Sequence, residues 1–335
     1  MAYQPSFSIT AKLMARLEAI AALRERIASA TVQVPWIPAL QKDARARNAH
    51  GSTAIEGNPL TLEQVRAVEE GRPMHTTERP EREILNYFAG LRFVEKQQAR
   101  REVTHDDILA LHRLIATGVM DQGVAGRYRH VAVRVGGYLP PPANEVSGLM
   151  RELLDWWNHR SSEWSPVISS GILHYRFEAI HPFADGNGRM GRLLALWELY
   201  RRGFDTHHIF SIDEYYWEDH PRYYDELENV RQKAEDLTQW LEYVAQGMRL
   251  ILEKVWLRIQ RLAAENRGKK IALRPKQERL LNLLSDHRHQ GLAPREIWKA
   301  LGVSKQGAMD LLRPLIDAGL VKRVGTKKSG RYILG

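Results

Sequence analysis

Residues 181–192 read His181-Pro182-Phe183-Ala184-Asp185-Gly186-Asn187-Gly188-Arg189-Met190-Gly191-Arg192, and this dozen decides the reading of the chain. Gly186, Asn187 and Gly188 favour positive-φ conformations, in which successive backbone N–H groups turn inward as an anion-binding nest. After them, Leu193, Leu194, Leu196, Trp197 and Tyr200 form an apolar set at helical spacing, with Gly203 as a stop. A phosphate in the nest would therefore also sit at the positive end of a helix dipole. Arg189 and Arg192, three residues apart, are expected to project from one helix face toward that phosphate with planar, permanently charged forks. Asp185 is a hard oxygen ligand suited to a magnesium ion that shares phosphate oxygens. His181, with an ordinary pKa of about 6.5, offers a neutral imidazole to take a proton from a hydroxyl. Singly, a Gly-x-Gly is ordinarily a turn and a histidine before proline a capped loop residue. Together these residues point to phosphate-transfer chemistry.

The stretch resembles the core motif of the Fic family, His-Pro-Phe-x-Asp/Glu-Gly-Asn-Gly-Arg-x-x-Arg, with every specified position present. The resemblance implies a mainly α-helical fold, a Fic-type bundle with a β-hairpin flap. It also implies transfer of AMP from ATP to a Tyr, Thr or Ser hydroxyl of a protein. On that reading His181 is the base, Asp185 holds Mg2+, residues 186–188 and Arg189 hold the phosphates, and Arg192 meets the terminal one. Ser52-Thr53-Ala54-Ile55-Glu56-Gly57-Asn58 resembles the family's inhibitory motif, with Ser52 and Glu56 on one face of a short helix ended by Gly57. A carboxylate paired to Arg192 would compete with a phosphate for the same donors. Taken alone, Glu56 reads as an exposed helix-terminal acid.

Between these motifs, residues 126–142 alternate apolar and polar from Val131 through Val133 to Val135, turn at Gly136-Gly137 and continue with Tyr138. This resembles the family's flap, which pins a target segment by strand addition; a structural hairpin with an unpaired edge is the other reading. Arg222-Tyr223-Tyr224-Asp225 resembles the tyrosine pair near the family's adenine pocket, with Tyr224 as the base contact. The asparagine that some relatives carry seven residues later is here Arg231.

The 335 residues suffice for two cores. No cysteine is present, which excludes disulfides, thiolate metal sites and thiol chemistry. The opening Met-Ala-Tyr-Gln-Pro-Ser lacks a basic-then-apolar pattern and no apolar stretch approaches membrane length, so a cytoplasmic protein without membrane contact is expected. Ile9, Leu13, Leu17, Ile20, Leu23 and Ile27 mark a first helix by spacings of three and four. Thr61 with Gln64 offers a capping box closed by Gly71, and Thr104 caps a helix running toward Gly118. Further helices are expected over about 80–100, 144–160, 165–180, 188–202, 219–230 and 236–262. Tryptophans 156, 157, 197 and 240 read as core or interface residues. The expected domains are a helical region over 1–75 with the inhibitory motif, a catalytic domain over 76–262, a linker over 263–274 and a small domain over 275–335.

The net charge of +9 is unevenly spread. Residues 267–335 carry 16 Lys/Arg against 5 Asp/Glu, whereas the remainder carries 33 against 35. The basic segment reads as helix (277–284), then Pro294–Leu301, a turn at Gly302, and a helix from Ser304 to Ala318. Two strands, 320–324 and 331–334, are joined by the basic loop Gly325–Gly330. This resembles a winged helix-turn-helix domain, which docks either DNA or protein; Lys305, Gln306 and Arg313 are its polar reach. Two alternatives stand beside AMP transfer: AMP removal at the same site, with the glutamate positioning water, and a DNA-binding regulator whose Fic-like part senses nucleotide. The family also implies a homodimer as one assembly.

Overall fold

The computed structural model describes residues 3–30, 36–72, 78–204, 207–265, 274–287, 291–317, 320–325 and 330–334. Among them fourteen α-helices run in the order α1 (Ala11–Ser29), α2 (Trp36–Ile55), α3 (Leu62–Glu69), α4 (Glu78–Gln97), α5 (His105–Ala116), α6 (Val146–His159), α7 (Pro166–Ile180), α8 (Asn187–Arg201), α9 (Ile212–Glu218), α10 (His220–Gln232), α11 (Thr238–Glu265), α12 (Pro275–Asp286), α13 (Pro294–Leu301) and α14 (Lys305–Asp317). Two strands follow, β1 (Val321–Val324) and β2 (Arg331–Leu334), paired antiparallel with Val321 opposite Leu334. The fold is mainly α. None of the helices described is long and apolar enough to cross a membrane.

The chain divides into two compact units, residues 1–25 with 43–254, and residues 26–42 with 255–335. Residues 26–42, read from sequence as part of the N-terminal region, thus cluster with the C-terminal segment. The first unit is built on α7 and α8. Their burial runs all round, including Ile172, Leu173, Tyr175, Phe177, Leu193, Leu194, Leu196 and Trp197. A helix buried on every face belongs at the centre of a bundle, with α4, α5 and α6 packed around the pair. Trp156, Trp157, Trp197 and Trp240 are all buried. Trp157 Nε1 donates to the buried Glu198 carboxylate at 2.6 Å and Trp240 Nε1 to the Gly171 carbonyl at 2.8 Å, so each satisfies its polar atom inside the core.

Local signals set several boundaries. Thr61 and Gln64 form a reciprocal capping box, and Gly71 takes φ 68°. Thr104 caps α5 with Asp107 as its reciprocal partner. The expected helix over 219–230 is α10, capped by Asp219, and an unexpected seven-residue helix, α9, capped by Ser211, precedes it. The inhibitory motif lies at the end of the twenty-residue α2, a longer helix than expected, and Glu56 falls just beyond its last turn.

The second unit has its own core of Leu280, Leu281, Leu284, Ile297, Ala308, Leu312, Leu315, Leu320, Val321 and Tyr332. Gly302 ends α13 at φ 59° and Ser304 accepts from the Gly307 amide at the start of α14. α11 extends to Glu265, past the expected start of the linker; residues 266–273 of that linker, Ala318, and residues 326–329 of the basic loop lie outside the described residues.

Candidate active site

A cleft of about 710 Å³ brings Glu56, Arg134, Val135, Gly136, Gly137, Glu178, His181, Asp185, Gly186, Asn187, Gly188, Arg192, Tyr224 and Arg231 to one place. These residues come from α2, the 126–142 segment, the α7–α8 turn and α10.

The turn is built by α7 ending at His181, which takes the left-handed conformation at φ 49°, ψ 60°. That is a costly backbone for a non-glycine residue and folds the imidazole back over the last turn of its own helix. Gly186 supplies the second left-handed residue, φ 81°, and caps α8. Asn187 and Gly188, expected to share that conformation, are instead the first helical residues of α8. The turn is therefore one left-handed glycine at the start of a helix rather than three successive left-handed residues. Asn187 uses its side chain on the loop: Oδ1 accepts from the Phe183 amide at 2.9 Å and Nδ2 donates to the Phe183 carbonyl at 2.8 Å. Gly188 has a different reason to be glycine. A Cβ there would run into the Glu56 carboxylate.

His112 on α5 fixes the other side of the turn. Its ring stacks on Phe183 at 3.6 Å between centroids, and its Nδ1 accepts from the Gly126 amide at 2.8 Å. Nε2 must then carry the proton, donated to the Asp185 carbonyl at 3.0 Å. Burial pulls the His112 imidazole down to about 4, so it stays neutral.

The two arginines part company, contrary to the expectation that they face one site. Arg192 is buried and lines the cleft. Its Nε donates to Ser52 Oγ at 2.7 Å, and Nη2 donates to the Ser52 carbonyl at 2.8 Å and to Glu56 Oε1 at 2.7 Å. Tyr223, next to Tyr224, places its hydroxyl 3.5 Å from Nη1 and bonds His174 Nε2 at 3.0 Å. Arg189 lies on a neighbouring pocket of about 240 Å³, bound to Glu83 and, at 3.3 Å, to Asp185 Oδ1. Asn58 Nδ2 donates to the other oxygen of Glu83 at 2.7 Å, which ties the segment after Glu56 to Arg189. Asp185 borders both pockets; its Oδ2 accepts from the Asp121 amide at 3.2 Å.

His181 faces the cleft. Burial pulls its imidazole down to about 4, opposed by the Glu178 backbone carbonyl and the Glu56 charge, so it is a neutral base at pH 7. Tyr224, 43% exposed, stands at the cleft wall with its hydroxyl 3.3 Å from the Ile55 carbonyl. Arg231 stacks its guanidinium 3.8 Å from the Tyr138 ring centroid.

The 126–142 segment departs from the expected strands. Val135 and Tyr138 exchange both backbone bonds, at 3.0 and 2.9 Å, across Gly136 and Gly137, but Val131 and Val133 are in no ladder. A strand needs a partner, and the described residues supply none beyond that one bridge. Arg129 anchors the base of the segment: it donates to the carbonyls of His181 (2.8 Å), Val131 (3.1 Å), Pro141 (2.6 Å) and Ile180 (3.3 Å). A cation on the last carbonyls of α7 also offsets the negative end of that helix.

With this geometry in view, residues 102–199 match the Fic/DOC family. Residues 102–199 are thus similar to a Fic domain. Two relatives named "Protein adenylyltransferase Fic" share 36% identity over 168 residues (Drosophila willistoni) and 32% over 193 residues (Drosophila melanogaster). These alignments cover 49% and 56% of this chain but only 34% and 39% of the relatives, so the match spans little more than a third of their length. A Fic family protein from Desulfovibrio desulfuricans G20 superposes with a TM-score of 0.67 at 28% identity, covering 99% of this chain and 98% of the other. Fic-1 from C. elegans, residues 134–508, superposes at 0.62 with 26% identity over 74% and 73% of the two chains.

The Fic domain match contains the 126–142 segment, His181, Asp185, Arg189 and Arg192, while Glu56 and Tyr224 reach the cleft from outside it and Ser52, also outside it, holds Arg192. Sequence reading missed His112, Glu83, Arg129 and Glu178, and gave Tyr223 only as a member of the tyrosine pair, not as a neighbour of Arg192. Only its three-dimensional neighbours give each of these its role.

Proposed function

We propose that the chain is a protein adenylyltransferase that moves AMP from ATP to a hydroxyl side chain of a target protein, and that Glu56 restrains it. The observation that carries this reading is the 2.7 Å bond from Arg192 to Glu56 in the cleft that also holds His181 and the Gly186 turn. The volume suits a nucleotide. In the proposed reaction the target oxygen attacks the α-phosphorus and its proton passes to Nε2 of His181. The bond to the bridging oxygen breaks, and pyrophosphate leaves. Helix N–H groups after Gly186 orient the phosphates, and Arg192 takes the terminal one once Glu56 releases its fork. Catalysis then comes mainly from positioning and charge neutralisation.

Asp185, a hard oxygen donor that lines the cleft beside the Gly186 turn, is the residue that would hold magnesium. Magnesium bound there would neutralise phosphate charge. Tyr224 stands beside the base, and the segment 131–135, in no ladder beyond the Val135–Tyr138 bridge, receives an extended target segment by strand addition. A cytoplasmic setting, where ATP is supplied, goes with this reading. The basic C-terminal unit, with its helix-turn-helix and two-stranded sheet, is read as a winged-helix module that docks on DNA.

The test incubates wild type, Glu56→Gly and His181→Ala with magnesium and α-labelled ATP in cell lysate. Label strongest with Glu56→Gly, weak with wild type and absent with His181→Ala is the expected pattern. No label in any sample defeats the proposal, and loss of label from premodified protein would assign AMP removal instead.

A further inference from the structure

Glu178 lies on α7 one turn before His181, so the two side chains share a face. Its Oε2 is 3.7 Å from His181 Nδ1. Nδ1 and the other carboxylate oxygen, Oε1, are both buried without a well-formed hydrogen bond among the described residues, although the Glu178 backbone carbonyl also lies by the imidazole. Room for that oxygen depends on Gly191 of the core motif, where a Cβ would come within 2.5 Å of Oε1. The charged groups around the pair are Arg192 from α8, Glu56 beyond α2, Arg231 from α10 and Arg129 before the flap; Tyr223 and Tyr224 from α10 and His174 from α7 also face it. None of them bonds to the carboxylate. A buried carboxylate left unpaired beside a cleft is costly for stability, and such groups concentrate where chemistry needs them.

We infer that Glu178 is the positioning residue for the base: its carboxylate takes Nδ1–H of His181, leaving Nε2 unprotonated toward the cleft and stabilising the imidazolium as it forms. This rests on the proposed transfer reaction. No proton moves to Glu178; the proton from the target hydroxyl resides on Nε2, and the carboxylate balances that charge across the ring. The need is specific to this site, because burial has made His181 a weak base that gains from a counter-charge. Burial also holds the Glu178 carboxyl up to about 7, against the pull of Arg192. The carboxylate form is therefore gained as pH rises through about 7, and the transfer rate should rise with it.

The experiment uses the full chain in the Glu56→Gly background, comparing Glu178 with Glu178→Gln. The Gln variant should lose about tenfold to a hundredfold in single-turnover AMP transfer, with KM for ATP within about twofold. Its rate should be flat from about pH 6 to 8, where the parent rises. Combined with His181→Ala it should cause no further loss. Glu178→Asp, which keeps a carboxylate, should retain part of the rate and the pH dependence. Ring-nitrogen NMR of His181 gives a readout independent of activity: its resonances should move with an apparent pKa near 7 in the parent and not in the Gln variant. Unchanged rate and pH profile in the Gln variant, or parent resonances that ignore pH near 7, would overturn the inference. NMR titration as expected, with no transfer even by Glu56→Gly, would instead defeat the transfer reaction and leave the pairing standing.

Discussion

Asn187 shows how a residue can be legible as important and misread in role. Its place between two glycines suggests a phosphate-binding turn, but its amide staples both backbone groups of Phe183 from a buried position. Asn187→Ala should therefore cost stability before it costs chemistry. Two buried backbone groups lose their partners, which is worth about 1–3 kcal/mol. Urea unfolding should show the midpoint fall with an unchanged m-value, and a loss below about 0.5 kcal/mol would remove the staple from the account. The same scale explains what sequence could show. His181, Asp185, Arg192, Ser52 and Glu56 are legible because residue type and spacing carry their chemistry. His112, Glu83 and Arg129 are ordinary polar residues in sequence, and their roles come from contacts 52 to 106 positions away. Arg189 was placed by helical spacing alone, which cannot foresee that Glu83 draws its guanidinium to the neighbouring pocket.

At the scale of elements, the position of Glu56 depends on how the end of α2 is seated. Gly51 packs against the backbone of α9: a Cβ would lie 2.6 Å from the Asp213 carbonyl oxygen and 3.0 Å from the Glu214 amide nitrogen. Asp213 in turn accepts from Tyr87 on α4 at 2.8 Å, and Arg47 pairs with Glu214 at 2.8 Å. Burial holds the Asp213 carboxyl up to about 6 despite the nearby Arg192. Alanine at position 51 would gain helix propensity of about 1 kcal/mol but force backbone apart at a cost of about 1–3 kcal/mol. Because backbone yields less readily than a side-chain tip, overpacking should win. Gly51→Ala is expected to lower the melting temperature and, by unseating the helix end, raise AMP transfer toward the Glu56→Gly level. A destabilised protein with wild-type transfer would mean that the seating of α2 does not govern the glutamate. The long amphipathic helices were readable from periodicity, whereas α9 was not: seven residues give under two turns of pattern, and its boundary is made by two adjacent caps. The flap's alternation predicted strands, but alternation records a preference that only a neighbouring strand can satisfy.

Across the whole molecule, charge sets the C-terminal segment apart from the rest of the chain. Residues 267–335 hold an excess of eleven positive charges and the remainder is slightly acidic. In the second unit Lys305 and Arg313 on α14 and Lys322 on β1 are exposed, while Gln306 is engaged by Asp310 at 2.9 Å. With Gln306 occupied within its own helix and only Lys305 and Arg313 left as polar reach on α14, affinity for DNA should come mainly from phosphate contacts rather than from sequence readout. Each phosphate contact adds a slope of about −0.9 to log K against log salt concentration. Binding of the full chain to duplex DNA should weaken steeply between about 50 and 200 mM salt. Lys305→Ala and Lys322→Ala should each flatten the slope by about one and weaken binding to unrelated sequences alike. Binding that ignores salt, or that survives both changes with its slope intact, would remove DNA as the partner and leave the basic unit as a protein-docking module, for which the same lysines would be read out by an acidic partner.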